Sequence, residues 1–296
     1  MNASAQHPLV RAMPAVFVVI WSTGFIVARY GMPHSPPMKF LAMRYALSVA
    51  CFAVWALAFR AAWPKDRRQL AHLAVTGILM HAGYLGGVWA AVKAGMGAGL
   101  AALLVGLQPV LTALWISMRG HSVTARQWTG LALGLAGLLL VVWQKLGYGE
   151  VSRLNLLFAV TALLSITAGT LYQKRFLAPC DVRTASLVQL SAAFVVTAPL
   201  AMIETEAMRF NGELVGAMAW SVLALTLGGS SLLYLLIQRG AATSVTSLLY
   251  LVPPTTAVMA WLLFAEPLSA ITLAGMAVTA VGVSLVVRAP PPRVPE

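Results

Sequence analysis

Charge is the scarcest property of this chain. Only 9% of its 296 residues are Asp, Glu, Lys or Arg, and only eight are acidic; soluble globular proteins carry about a quarter. With 60% hydrophobic residues and a mean hydropathy of +0.83, a water-soluble domain is excluded. No Asp or Glu stands deep in any apolar run, which removes the usual carboxylate site for coupling to protons or sodium. Cysteine is nearly missing too. Cys51 lies in an apolar run and Cys180 in a connector, so neither a disulfide framework nor a metal-ligand spacing exists. There is no Walker loop, hence no sign of an ATP-driven pump, and no cofactor or metal is expected. A net charge of +12 would point to nucleic acid in a soluble protein. Here the basic residues sit in short connectors without interleaved aromatics, so no nucleic-acid partner is expected and the charge reads as topology.

What the chain does have is membrane-length apolar runs. A spanning helix needs about 20 mostly apolar residues, and ten such runs are found, roughly at 12–29, 40–59, 70–92, 97–118, 126–143, 154–174, 184–203, 215–238, 242–264 and 271–287. The fold class is therefore an all-α integral membrane protein whose partner is the lipid bilayer. The first run ends in Ala28-Arg29-Tyr30 without a small-residue cleavage site, so it stays as the first span. With the N-terminus inside, most of the 20 basic residues, among them Arg60, Lys65, Arg67, Arg68, Lys174, Arg175 and Arg183, fall in cytoplasmic segments. Both termini are then cytoplasmic by the positive-inside rule.

The chain also repeats itself. Residue n resembles residue n + 145: Gly24 falls on Gly169, Arg29 on Lys174, Gly83 on Gly228, Pro109 on Pro254, Gly130 on Gly275 and Gly137 on Gly282. Long self-similarity marks a duplicated unit. Each unit holds five spans, an odd number, so the second copy enters the bilayer upside down relative to the first. The expected units are 1–148 and 149–288, followed by a cytoplasmic tail at 289–296. Inverted repeats that meet at the midplane are an architecture of secondary transporters.

Several segments carry a family likeness. Trp21-Ser22-Thr23-Gly24-Phe25 in the first span, Arg44 within Phe40–Tyr45, Leu107-Gln108-Pro109 and Leu251-Val252-Pro253-Pro254 resemble the drug/metabolite transporter superfamily. The run from Trp261 through Glu266-Pro267-Leu268-Ser269, followed by Gly275 and Gly282, is similar to the end of an EamA-type repeat. The nearest likeness is to the YddG-like exporters of aromatic and other amino acids in bacteria. One departure is His121-Ser122-Val123-Thr124, where the family usually has an acid, so a first-half acid is not essential here. The resemblance implies a bilobed carrier, and a monomer in the bacterial inner membrane is expected. Its central cavity would open alternately to each side for a small-molecule substrate, an amino acid or a related metabolite.

Candidate residues follow from polarity at depth. The cavity candidates are Trp21 and Thr23 in the first span, His81, Tyr84 and Trp89 in the third, and Gln108 and Trp115 in the fourth. Thr167 and Tyr172 in the sixth, Ser230 and Tyr234 in the eighth, and Tyr250 in the ninth complete the set. Polar groups inside a membrane protein face the interior or a watery cavity, and aromatic faces suit apolar substrate side chains. Pro109, Pro253 and Pro254 break their spans at related positions and are the expected hinges. Arg44 either snorkels, meets a carbonyl or binds a carboxylate, and its place near a span end favours a structural role. Glu266 is expected as a cap or gate. Gly228-Gly229-Ser230-Ser231 with His81 as base formally offers an intramembrane serine enzyme, but ten spans in two copies do not fit that class. A channel would need a charged ring or selectivity sequence, and neither is seen.

Overall fold

Hydrocarbon offers a peptide group no hydrogen-bond partner, so a spanning chain closes its bonds within helices. The computed structural model describes residues 8–118, 124–147, 149–229, 231–232 and 251–287, and these contain no strand. Their helices are α1 (Pro8–Gly31), α2 (Pro37–Ala58), α3 (Arg67–Gly77), a π-helical turn π1 (Ile78–Gly83) and α4 (Tyr84–Lys93). Then come α5 (Ala98–Val105), α6 (Gln108–Met118), α7 (Ala125–Gly147), α8 (Arg153–Phe176), α9 (Val182–Ile203) and α10 (Gly212–Trp220). A second π-helical turn, π2 (Ser221–Gly229), α11 (Val252–Phe264) and α12 (Ala270–Val287) complete the order. Eight stretches are long and apolar enough to cross a membrane, Arg67–Lys93 counting as one. α11 and α12 are shorter apolar helices, and the end of the expected eighth span, the start of the ninth and the connection between them lie largely outside the described residues. The perimeter is apolar as well: Trp143 is 79% and Met202 86% exposed, tolerable only against lipid.

The helix bounds repeat at the interval that the sequence shows. α1 and α8 begin at 8 and 153 and end at 31 and 176; α2 and α9 begin at 37 and 182 and end at 58 and 203. Contacts recur in the same way. α3 and π1 pack on α8 as α10 and π2 pack on α1, and α6 meets α8 as α11 meets α1. α2 lies along α9 in opposite sense. Glu204, just past the end of α9, accepts from the backbone N–H groups of Met38 (2.9 Å) and Lys39 (2.8 Å) in the first turn of α2. At the other end, Thr184 in the first turn of α9 donates to the Ala62 carbonyl beyond α2 (3.0 Å). A carboxylate at a helix N-terminus also complements the helix dipole.

α7 and α12 are likewise antiparallel, and glycine makes their contact possible. Gly130 faces Gly282 while Gly137 faces Gly275. A Cβ at Gly137 would sit 2.5 Å from the Gly275 carbonyl oxygen and 2.5 Å from Thr279 Oγ1. Such small-residue seams let membrane helices approach closely.

The two ends of the bundle are tied differently. One end is ionic: Lys93 pairs with Glu206 (2.8 Å), His34 with Glu213 (2.7 Å), and Lys39 donates to the Glu206 carbonyl (2.6 Å). The opposite end is joined mainly by neutral bonds. The Gln69 amide donates to the Ala178 carbonyl (2.8 Å) and accepts from its N–H (3.3 Å), and His72 Nδ1 meets the Tyr172 hydroxyl (2.8 Å). In the connector there, Arg183 hydrogen-bonds Asp181 and holds that carboxyl below its ordinary range.

Gly137→Ala is expected to destabilise the protein by about 1–3 kcal/mol through overpacking. Gly216→Ala, whose added Cβ meets nothing within 4 Å, is expected to be neutral. Thermal unfolding in detergent compares them, and equal midpoints would show that the α7–α12 seam has room to relax.

Candidate functional site

Two helices abandon the α pattern, and they do so at related places. π1 carries His81 and π2 carries Thr226, 145 residues apart. The wider turn shifts the bonding register, and such turns are frequent at functional sites. Within π2 the Thr226 hydroxyl donates to the Ser221 carbonyl five residues back (2.8 Å). π1 is held at both ends by glycine: Gly77 lies against the backbone of Gln189 in α9, and a Cβ at Gly83 would sit 2.6 Å from Ser165 Oγ in α8.

A polar cluster is built around these turns. Arg44, buried in α2, donates through Nε (3.3 Å) and Nη2 (3.1 Å) to Thr226 Oγ1. The corresponding residues 145 positions away are Gln189 and His81, and their side chains also interact with each other. One geometric arrangement therefore occurs twice with different chemistry, guanidinium to hydroxyl and amide to imidazole. Tyr45 donates its hydroxyl to the His81 carbonyl (2.8 Å) and presents its ring edge-on to the imidazole at 6.1 Å. Tyr84, the first residue of α4, lies within electrostatic reach of Arg44. His81 and Tyr84 are half-buried, with surface left to meet another molecule.

A second set of contacts crosses the bundle beside the first. Gln108 Nε2 donates to Thr170 Oγ1 (2.7 Å), tying α6 to α8. Trp220 Nε1 donates to Thr23 Oγ1 (2.8 Å), tying α10 to α1. Trp21 packs on Phe17 at 5.2 Å and lies beside Gly229 of π2. Gly24 faces Leu225 and Gly169 faces Met80, another contact repeated at the same interval. Near here the fourth span breaks at Gly106–Leu107, between α5 and α6, and a Cβ on Gly106 would lie 2.9 Å from Pro253 Cγ.

The structure brings Trp21, His81, Tyr84, Gln108 and Arg44 together around the π turns; Thr23 bonds back to the Ile20 carbonyl and meets exposed Trp220, and other candidates stand elsewhere. Trp89 is fully buried and stacked on Phe40 at 4.3 Å, so it is core rather than cavity wall. Thr167 is buried and bonds back to the Leu163 carbonyl (2.7 Å), the habit of a helix-interior threonine. Tyr172 belongs with His72 and Phe176 at the neutral end. Trp115 stands exposed on α6. Glu266 accepts from the N–H groups of Ala98 (2.9 Å) and Gly99 (3.4 Å), a cap on α5. Pro109, Pro253 and Pro254 do not interrupt helix interiors: they stand in the first turns of α6 and α11, where a missing N–H costs nothing. Ser230, Tyr234 and Tyr250 lie outside the described residues.

Sequence reasoning did not single out Tyr45, Gln189, His72 or Trp220. For Gln189 a signal existed, because it is the repeat mate of Arg44. Two small pockets lie away from the cluster, where α5, α11 and α12 meet around Leu103, Gly106, Pro253 and Met276. Each has room for a water molecule and none for an amino acid. Among the described residues no group of three His, Cys, Asp or Glu is placed to hold a metal ion.

A family profile described as the EamA-like transporter family matches residues 13–143 and again 153–288. The chain belongs to the EamA-like transporter family. It is a multi-pass membrane transporter. It is 27% identical over 161 residues to a probable amino-acid metabolite efflux pump of Salmonella typhimurium, 54% of this chain and 52% of that protein. The match thus spans about half of that pump's length. Similarity to the uncharacterized inner membrane transporter YedA of Escherichia coli runs over 282 residues at 26% identity, 94% of this chain and 90% of the other. The uncharacterized transporter YvbV of Bacillus subtilis is 24% identical over 92% of this chain and 89% of its own length. A solved crystal structure aligns with a TM-score of 0.61 at 17% identity, over 93% of this chain and 95% of that one; this is a likeness of fold alone.

Trp89→Ala in this EamA-like transporter is expected to cost about 3–5 kcal/mol of stability and to leave transport per folded molecule unchanged. Folded yield, thermal midpoint and vesicle flux measured together test it. A Trp89→Ala protein as stable as the parent but slow in transport would return Trp89 to the substrate path.

Proposed function

We propose that this transporter is a secondary carrier that exports small amphipathic metabolites, foremost aromatic and other neutral amino acids. The observation that carries this reading is the mid-bundle cluster itself. Aromatic surface from Trp21, Tyr84 and His81 stands around the π turns with the neutral groups of Gln108, Thr170 and Gln189, and no carboxylate lies at that depth. That set suits a solute with an apolar body and a zwitterionic head. The name of the Salmonella relative, an amino-acid metabolite efflux pump, supports the same class of cargo. The proposed setting is the bacterial inner membrane, as a monomer with both termini cytoplasmic.

The proposed mechanism is alternating access between two inverted units, residues 1–148 and 149–288, with 289–296 as a tail. The antiparallel pairing of α2 with α9 and of α7 with α12 supports it. So does the break at Gly106–Leu107, seated against Pro253. In this scheme the ionic end, which faces outward in the proposed topology, opens by separating Lys93 from Glu206 and His34 from Glu213. The neutral end opens by releasing Gln69 from Ala178 and His72 from Tyr172. Substrate at the middle is then exposed to one side at a time.

Proteoliposomes loaded with labelled tryptophan, phenylalanine, threonine or uridine are expected to release the amino acids saturably without an imposed pH gradient. Gln108→Leu and His81→Ala are expected to slow that release about tenfold or more, the scale of losing one or two buried polar contacts. Folded protein that releases none of the amino acids would sink the amino-acid reading. A second check joins the ionic end. With Cys51 and Cys180 replaced by serine, a Lys93→Cys, Glu206→Cys pair is expected to stop transport when oxidised and to recover on reduction. Unchanged flux after complete oxidation would rule out opening at that end.

A further inference from the structure

We infer that Arg44 receives the carboxylate of the transported solute and so restricts the site to molecules bearing one carboxylate. This inference rests on the amino-acid reading above and narrows it. Arg44 lies seven residues into α2, about 10 Å along the axis, and only 7% of it is exposed. A guanidinium at membrane depth is costly when nothing pairs with it. No acid does so among the described residues, whose ion pairs are His34–Glu213, Lys93–Glu206, Lys145–Glu150 and Arg183–Asp181.

The hydrogen bonding leaves one edge of the guanidinium for a ligand. Nε and Nη2, the side edge, both point to Thr226 Oγ1. The end edge, Nη1 with the second hydrogen of Nη2, has no partner among the described residues. Two nitrogens on one edge of arginine match the two oxygens of a carboxylate. Nearby hydroxyls add to the surplus of donors: Ser48, one turn further along the same face of α2, and Ser221, at the start of π2. Both are fully buried with no partner among the described residues.

The repeat supplies an internal control. At the related place, 145 residues on, Gln189 of α9 reaches His81 of π1 and links helix to π turn without any charge. A neutral amide is therefore sufficient for the mechanical link. The charge at position 44 exceeds that need, and its neighbours Tyr45, His81 and Tyr84 include no anion. One carboxylate neutralises the site. A second would leave a net negative charge in a medium that solvates it poorly, and an amine lacking a carboxylate would set two cations side by side.

The test pairs transport with binding. Wild-type vesicles are expected to carry tryptophan and to reject tryptophanamide and tryptamine. Arg44→Gln, which copies the chemistry of the related position, is expected to fold with an unchanged thermal midpoint, to raise the KM for tryptophan about 10- to 100-fold, and to lose the preference over tryptophanamide. Arg44→Lys keeps charge without the paired edge and should fall between. In detergent, tryptophan and indole-3-acetate are expected to raise the wild-type midpoint, and that rise should vanish in Arg44→Gln. An unchanged KM in Arg44→Gln, or an equal loss for tryptophan and its amide, would overturn the inference and leave Arg44 as a strut. If wild-type vesicles release no amino acid, the export reading fails by itself. A midpoint rise with indole-3-acetate that depends on Arg44 would still uphold the carboxylate site, and its absence would end it.

Discussion

Everything in this molecule is arranged around peptide groups that have no water to turn to. Within hydrocarbon the backbone must be bonded to itself, which makes helix the default and any departure costly unless neighbours compensate. Among the described residues the departures are few and concentrated: two π turns and one break, all facing the interior of the bundle. Each is accompanied by the groups that make it tolerable. The His81 carbonyl in π1 gains the Tyr45 hydroxyl, the Ser221 carbonyl in π2 gains the Thr226 hydroxyl, and the break at Gly106–Leu107 is closed by Pro253. The polar cluster stands where the backbone is irregular because irregular backbone and polar side chains need the same dry, protein-lined surroundings.

Duplication supplies the scaffold, and divergence supplies the chemistry. Helix bounds, glycine contacts and the link from a second helix to a π turn all recur at an interval of 145 residues. The side chains placed on that frame do not recur. Arg44 with Thr226 answers Gln189 with His81, and an ionic end faces a neutral one. In the alternating-access scheme proposed above, such a scaffold would provide two arrangements of similar energy. Unequal side chains on it can bias one arrangement and recognise the two ends of an unsymmetrical solute. The glycine seams serve the same end by a different route, because they bring α7 and α12 together with no side chain between them and fix one face of the bundle.

Much of this was written in the residues. Apolar runs near the length of a bilayer demand spans. The interval of 145 residues demands a second copy, and an odd number of spans per copy demands that it be inverted. The antiparallel contacts of α2 with α9 have the sense that such a copy requires. Polarity at membrane depth also marked His81, Tyr84, Gln108, Thr23 and Arg44, because few places in a membrane protein accept such groups.

Other matters depended on contacts between residues far apart in the chain. Trp89 and His81 look alike as candidates on one span, and only packing separates them: Phe40 of α2 covers the indole, while the imidazole meets Gln189. Pro109 stands just past the break at Gly106–Leu107, but whether a proline interrupts a helix or begins one depends on where the preceding segment stops, here Leu107 before α6. A π turn has no short sequence signature, since one extra residue in a turn is held by neighbours rather than by propensity. The partner of Arg44 was invisible for the same reason, because Thr226 is 182 residues away. Sequence by itself determined the solvent, the spans and the duplication, which are sums of local preferences over many residues. Tertiary structure decided which polar atoms meet, because that rests on single contacts across the bundle.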